Sequence, residues 1–199
     1  SRVINDVAVI SDLLAEGSKR AALKIGRDSI GFAMQQKGQE VAMHDPRVKY
    51  GHGIGIAVSP TGADHMHNVH DNGYQTQGGI AELEPLGVIE PLPFSDLSRD
   101  KARMVRYGTI WRTLNNLTGF CMFQSWTPEQ KKQIMTAVTG WDTSVMELFL
   151  DAERAYDMAR AFNALHGLGR ADDQLHPRFM TAMSAGPVAG KAPTPEQYA

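Results

Sequence analysis

Five of the seven histidines lie between His44 and His70, and three of them fall in the run Asp64-His65-Met66-His67-Asn68-Val69-His70-Asp71. Imidazoles spaced in this way between carboxylates could ligate a divalent metal such as zinc or non-haem iron, or move protons near neutral pH. On a helix His65 and His67 would point to different faces, and the spacing matches no fixed ligand motif. General acid–base use, or a solvated polar loop, therefore explains the run better than ligation. Cys121 is the single cysteine and follows Asn116-Leu117-Thr118-Gly119-Phe120; the glycine allows a tight turn, and the thiol is either a buried small hydrophobe or a group facing a cavity. Asp172-Asp173, after Gly169-Arg170, could cap a helix or form an acid–base pair, and capping is the simpler chemistry. Lys37-Gly38 and Arg47 could hold an anion, although basic residues beside turns are commonly just solvated.

The elements that must position these groups are mostly helical. Val3, Val7, Ile10, Leu14, Gly17, Ala21 and Ile25 line one helical face, and Gly26 closes that stretch behind Lys19, Arg20 and Lys24. From Phe32 to Val48 the helical period is lost, with turns at Lys37-Gly38 and Asp45-Pro46, and this stretch reads as loop or short strand. Residues 49–58 hold Gly51, Gly53 and Gly55; such density disfavours helix and points to close backbone approach. The stretch 59–96 reads as a long irregular segment. Ser98 caps a helix running from Lys101 to Leu117, with Ala102, Val105, Thr109, Trp111 or Arg112, and Leu114 as its buried stripe. Thr127-Pro128 opens another helix, to about Val138. Asp142 begins the strongest one, whose stripe is Val145, Leu148, Phe149, Ala152, Ala155, Tyr156, Ala159 and Phe162. A short helix is expected around Pro177–Met183. The fold class is mainly α, an irregular helical array that divides into two helical subdomains at about 1–96 and 97–199.

Composition narrows the partners. The 199 residues are 42% hydrophobic and 21% charged, as in ordinary globular proteins, and the net charge of -2 supplies no field for a phosphate backbone. Nucleic acid is therefore not expected as a partner. No apolar run nears the roughly 20 residues that span a bilayer, so no membrane is expected and the reading is a cytoplasmic protein. One cysteine allows no internal disulfide and no self-contained multi-cysteine metal or iron–sulfur site.

Read together, LLAEGSKRAALKIG at 13–26, KGQEVAMHDPR at 37–47, GIGIAVSPTGADHMH at 53–67, NLTGFC at 116–121 and RAFNALHGLGRADDQLHPRF at 160–179 resemble, in order, the carboxy-terminal half of the aldehyde ferredoxin oxidoreductase family. The resemblance implies tungsten or molybdenum held by a bis-pterin, a 4Fe-4S cluster, oxidation of aldehydes to carboxylic acids, and electron transfer to ferredoxin. It also implies helical later domains and a homo-oligomeric parent protein. Cys121 takes the place of the last of four cluster ligands in an Asp-x-x-Gly-Leu-Cys pattern. Asn116 stands where the pterin-binding aspartate would be, Gly119 matches, and Phe120 replaces leucine. An amide oxygen can still accept the pterin hydrogen bond, without charge assistance. His65 matches the histidine beside the metal, which implies a role in proton transfer or substrate polarisation. His67 stands where a basic residue is common, as a phosphate or pterin contact. His44, Asp45, Arg47, Asp172 and Asp173 are candidates for orienting that site or for packing.

Three further expectations follow from the resemblance. The pterin-binding domain and the other cluster ligands lie upstream of Ser1, and a further helix continues past Ala199, so that the chain is a fragment with no bound cofactor and no activity alone. The irregular segment between His65 and the helix at Ser98 borders the channel to the metal, where it tunes substrate size or covers the entrance, or else is a surface insertion. The alternatives for function are a family member with other redox chemistry, such as reduction of an aromatic thioester, a non-catalytic helical module, and an unrelated metal-dependent hydrolase using His65, His67 and His70.

Overall fold

The computed structural model describes residues 2–198, with side chains from Val7 onward, and contains seven α-helical segments and one two-stranded ribbon among the described residues. Mainly α is therefore the class observed. Helices α1 (Arg2–Ala15) and α2 (Gly17–Ile25) split the first periodic stretch at Gly17, whose φ of 79° breaks the helix. Of the apolar face, Val7, Ile10, Leu14 and Ile25 are exposed, with nothing among the described residues packed over them, whereas Ala21 is buried. Val3 lies outside the described side chains. A hairpin follows, β1 (Gln35–Gln36) paired with β2 (Gln39–Glu40) in antiparallel register, turned by Lys37 and Gly38 at positive φ.

Residues 50–58 correct the sequence reading, since they form helix α3 (Tyr50–Val58) despite three glycines. The close approach expected of those glycines explains the exception. A Cβ at Gly51 would meet Asp71 Oδ1 at 2.8 Å, and one at Gly55 would meet Asn68 Oδ1 at 2.8 Å. The segment after α3 carries no long element, only 3-10 turns and helix α4 (Gln77–Ile80). It is nevertheless interior: Val69, Asp71, Ile80 and Leu83 are fully inaccessible. Within 72–80, Tyr74 and Ile80 belong to the larger core, while residues 72–73 and 76–78 are exposed.

Helix α5 (Arg99–Thr118) starts at Ser98, whose hydroxyl accepts from the Lys101 amide, and stops at Gly119 with φ 75°. Val105, Thr109, Trp111 and Leu114 are buried as expected, whereas Ala102 is exposed and its neighbour Lys101 is buried. Helix α6 (Pro128–Thr139) has the expected Thr127 cap, and α7 (Val145–Leu165) is capped by Ser144 rather than opened by Asp142. Only the first two turns of α7 reach the core, through Leu148, Phe149 and Ala152; Phe162 is exposed. Residues Pro177–Met180 form a 3-10 turn instead of a short α-helix. The larger core joins α5 and α7 to Val69, Tyr74, Ile80, Leu83 and Val88. A smaller one joins α3 to Leu175 and Phe179.

The two cores meet around one buried ion pair. Lys101 Nζ lies 2.8 Å from Asp71 Oδ1, with both side chains inaccessible. The Gly51 and His52 amides donate to the same carboxylate at 3.3 and 2.8 Å. Lys49, at the N-cap of α3, offers no side-chain acceptor, so Asp71 caps the second and third helical amides from another segment. Lys101→Met strands the carboxylate and is expected to cost about 3–5 kcal/mol. Urea unfolding measures this loss, and the Asp71→Asn, Lys101→Met double variant is expected to recover part of it; a double variant no more stable than the single would contradict the pairing.

Candidate functional site

Four imidazoles gather where the loop around residue 44, α3 and the 64–71 segment meet. The His44 ring lies 5.0 Å from that of His65, 4.6 Å from that of His70 and 5.9 Å from that of His52, centroid to centroid. His52 and His70 stack at 4.6 Å with 25° between their planes. The backbone fixes the set. His52 Nδ1 meets the Val69 carbonyl at 3.0 Å, and His70 Nε2 donates to the His65 carbonyl at 3.1 Å. His52 Nε2 is buried without a partner. The sequence reading singled out the run at 65–70 but not His44 and His52 as its neighbours. Its one available signal was His52 amid the glycines, whose close approach brings that ring to His70.

Burial disfavours charge on these rings. Desolvation, with the Val69 carbonyl and Asp71 opposing it and His44 and Lys49 adding to it, pushes His52 down to about 4. His70 is also pushed down to about 4, by burial and then by His52, Arg112 and His44. His44 is lowered by burial, His65 and Lys49. His44, His52 and His70 therefore favour the uncharged form at pH 7. His65, His67 and His70 do not converge on one point, and no group of three or more His, Cys, Asp or Glu side chains among the described residues is arranged to hold a metal ion. This corrects the hydrolase alternative, which needed those three as ligands.

His67 faces another direction. Its Nδ1 lies 3.3 Å from Asp64 Oδ2 and 3.2 Å from Thr61 Oγ1, and its Nε2 meets the Asn116 side-chain amide. A carboxylate at Nδ1 selects the tautomer protonated there, which makes Nε2 the acceptor and the Asn116 NH₂ the donor. The Asn116 carbonyl oxygen is thereby left as a free acceptor. Gly119, in the left-handed region, ends α5 and turns the chain out so that the Cys121 thiol is exposed. Phe120 is half-buried, while Leu117 and Phe123 beside the loop are exposed.

The remaining candidates are packing groups. Arg47 forks onto Asp45, with Nη2 at 2.6 Å from Oδ2, and reaches the Thr181 carbonyl at 3.2 Å. Asp172 caps its turn by accepting from the Gly169 amide at 2.8 Å. Asp173 is buried between Lys37 at 2.7 Å and Arg160 at 2.7 Å, so Lys37 is paired rather than solvated. Arg160 and Asn163 also donate to the Val58 and Pro60 carbonyls, each at 2.7 Å, and lock α7 to the end of α3.

The lowered histidines carry a stability consequence. A His whose folded pKa falls from 6.5 to about 4 binds its proton in the unfolded chain first, so its contribution is complete above pH 6.5 and drains as pH falls toward 4. Urea midpoints are expected to drop over that window, and His70→Asn to flatten the drop. Equal slopes in variant and wild type would remove the buried imidazoles from the account.

Comparison with known proteins agrees with this arrangement of blocks. The family model described as "Aldehyde ferredoxin oxidoreductase, domains 2 & 3" matches residues 2–199. The tungsten-containing aldehyde ferredoxin oxidoreductase of Thermococcus kodakarensis is 30% identical over 185 residues, 91% of this chain and 29% of that protein. The enzyme of the same name from Pyrococcus furiosus is 31% identical over 183 residues, 90% of this chain and 28% of that protein. An aliphatic sulfonate oxidoreductase, WOR-like subunit, of Pyrococcus furiosus is 30% identical over 193 residues, 94% of this chain and 27% of that protein. The chain thus spans less than a third of the length of these curated relatives. It belongs to the aldehyde ferredoxin oxidoreductase family.

Proposed function

We propose that the complete protein is a tungsten- or molybdenum-bis-pterin oxidoreductase that converts aldehydes to carboxylic acids and passes the electrons through a 4Fe-4S cluster to ferredoxin. The observation that carries this reading is the hydrogen bond between His67 and Asn116, which joins two sequence blocks 49 residues apart. These are the blocks that the family pattern places beside the pterin and the metal. Support also comes from the names of the relatives, which are tungsten-containing enzymes.

The donor set fits such a group. Cys121 offers an exposed thiol, the form a cluster ligand needs before deprotonation. Asn116 offers an oriented amide oxygen to a pterin amino group, and Gly119 supplies the left-handed turn that brings Phe120 and Cys121 clear of α5. When bound, the cofactors supply a two-electron oxidant and an electron exit. Overall, an aldehyde and water become a carboxylate with release of two electrons and three protons. His65 is the group in this chain that would accept or return a proton at the substrate oxygen. Its backbone carbonyl accepts from His70, and its ring lies 5.0 Å from that of His44.

Metal and iron analysis of the full-length protein, with viologen-linked aldehyde oxidation, tests the proposal. His65→Asn is expected to lower kcat by about 10²–10⁴ with the metal retained. Cys121→Ser is expected to lose iron and cluster absorbance while the helical signal persists. Full-length protein containing neither tungsten nor molybdenum, prepared with both available, would overturn the reading.

A further inference from the structure

A cavity of about 600 Å³ opens between the 73–86 segment, α5 and the start of α7. Its walls are aromatic: Tyr74, Trp111, Trp126 and Phe149, with Trp111 and Phe149 in edge contact at 5.3 Å. Gly73, Gly78 and Gly79 form one side. Gly79 lies against the backbone of Gly73, which leaves that rim without side chains. At one end the cavity adjoins a smaller polar space that shares Tyr74, Glu82, Trp111, Arg112, Ser125 and Trp126 with it and adds Lys131.

The charges there do not cancel. Arg112 and Lys131 contribute two cations, and Glu82 is the one carboxylate lining either space. Lys131 is buried, with its ammonium 5.7 Å from the centre of the Trp111 ring. Arg112 Nε and Trp111 Nε1 are buried without hydrogen-bond partners. Burial and the neighbouring Arg112 lower the lysine, and Glu82 opposes them. A surplus positive charge beside an apolar cavity is costly unless an anion compensates it. The walls suit a planar ring, and the polar end suits a carboxylate, which guanidinium binds in a fork.

We propose that this cavity binds an aryl or arylalkyl monocarboxylate, its ring between Trp111, Trp126 and Phe149 and its carboxylate toward Arg112 and Lys131. Carboxylates are also the product class of the oxidation proposed above. Binding at this cavity needs no turnover, so the two readings fail separately.

Calorimetric titration of the full-length protein with phenylacetate tests the site, with benzyl alcohol, hexanoate and inorganic sulfate in parallel. Phenylacetate is expected to bind tightest, and Arg112→Gln to weaken it about tenfold or more without changing benzyl alcohol binding. Lys131→Gln is expected to act in the same direction. Met146→Trp, at the exposed rim, is expected to weaken both aromatic ligands and serves if the buried variants do not fold. Near-UV circular dichroism checks each variant. Equal binding of phenylacetate and benzyl alcohol, sulfate or hexanoate binding as well as phenylacetate, or folded variants that all bind like wild type would each overturn the proposal.

Discussion

The Asp71–Lys101 pair is the constraint on which the rest of the structure depends. It ties together three stretches at one point: the irregular segment, α3 and the first turn of α5. Taking two charges out of water is costly, and the cost is recovered only where further hydrogen bonds support the pair. Here two α3 amides and one ammonium donate to the carboxylate. A lysine in the first turn of a helix also opposes the helix dipole, and Asp71 offsets that penalty. The same carboxylate supplies the helix cap that Lys49 lacks. One aspartate thus resolves an uncapped helix, a misplaced cation and a segment without secondary structure.

The imidazole cluster is a direct consequence of that pair. His70 precedes Asp71 in sequence, and the His52 amide donates to Asp71, so anchoring the carboxylate brings the two rings into stacking distance. Glycine permits it. Gly51 leaves room for the carboxylate, and Gly55 leaves room for Asn68 on the same segment. The helical propensity lost, about 1 kcal/mol for each glycine, is offset by tertiary contacts that larger residues would block. On its other side α3 is held by the seam of Arg160, Asp173 and Lys37, so His52 sits on a helix fixed from both flanks.

Much of this was legible in the sequence. Caps at Ser98 and Thr127, proline at the start of α6, glycine after α5 and the turn at Lys37-Gly38 are local signals, and local signals survive folding. Burial was less legible because it belongs to the partner as well as to the element. Helix α7 has a regular apolar stripe, yet its last turns are exposed where nothing described lies over them. Lys101 was invisible as a core residue, since its burial depends on an aspartate 30 positions earlier. Glycine density misled in the same way: propensity argued against a helix at 50–58, and tertiary contact overrode it. At the candidate site the histidine run was evident, but its division into His65 and His70 beside His44 and a His67 turned toward Asn116 was decided by chain direction rather than by spacing.

Asn116 and His67 are best understood as one change. In the pattern that this chain resembles, an aspartate stands at the first position and a basic residue is common at the second. In the geometry found here those two side chains would touch and form an ion pair. This chain has a neutral amide and an imidazole in their place, and they still touch. Asp64 then fixes the imidazole tautomer from the far side, and the tautomer fixes which way the amide points. A carboxylate accepts hydrogen bonds in either orientation, whereas an amide does so only when its oxygen is turned outward. Asp64 thereby orients the Asn116 amide through the His67 ring.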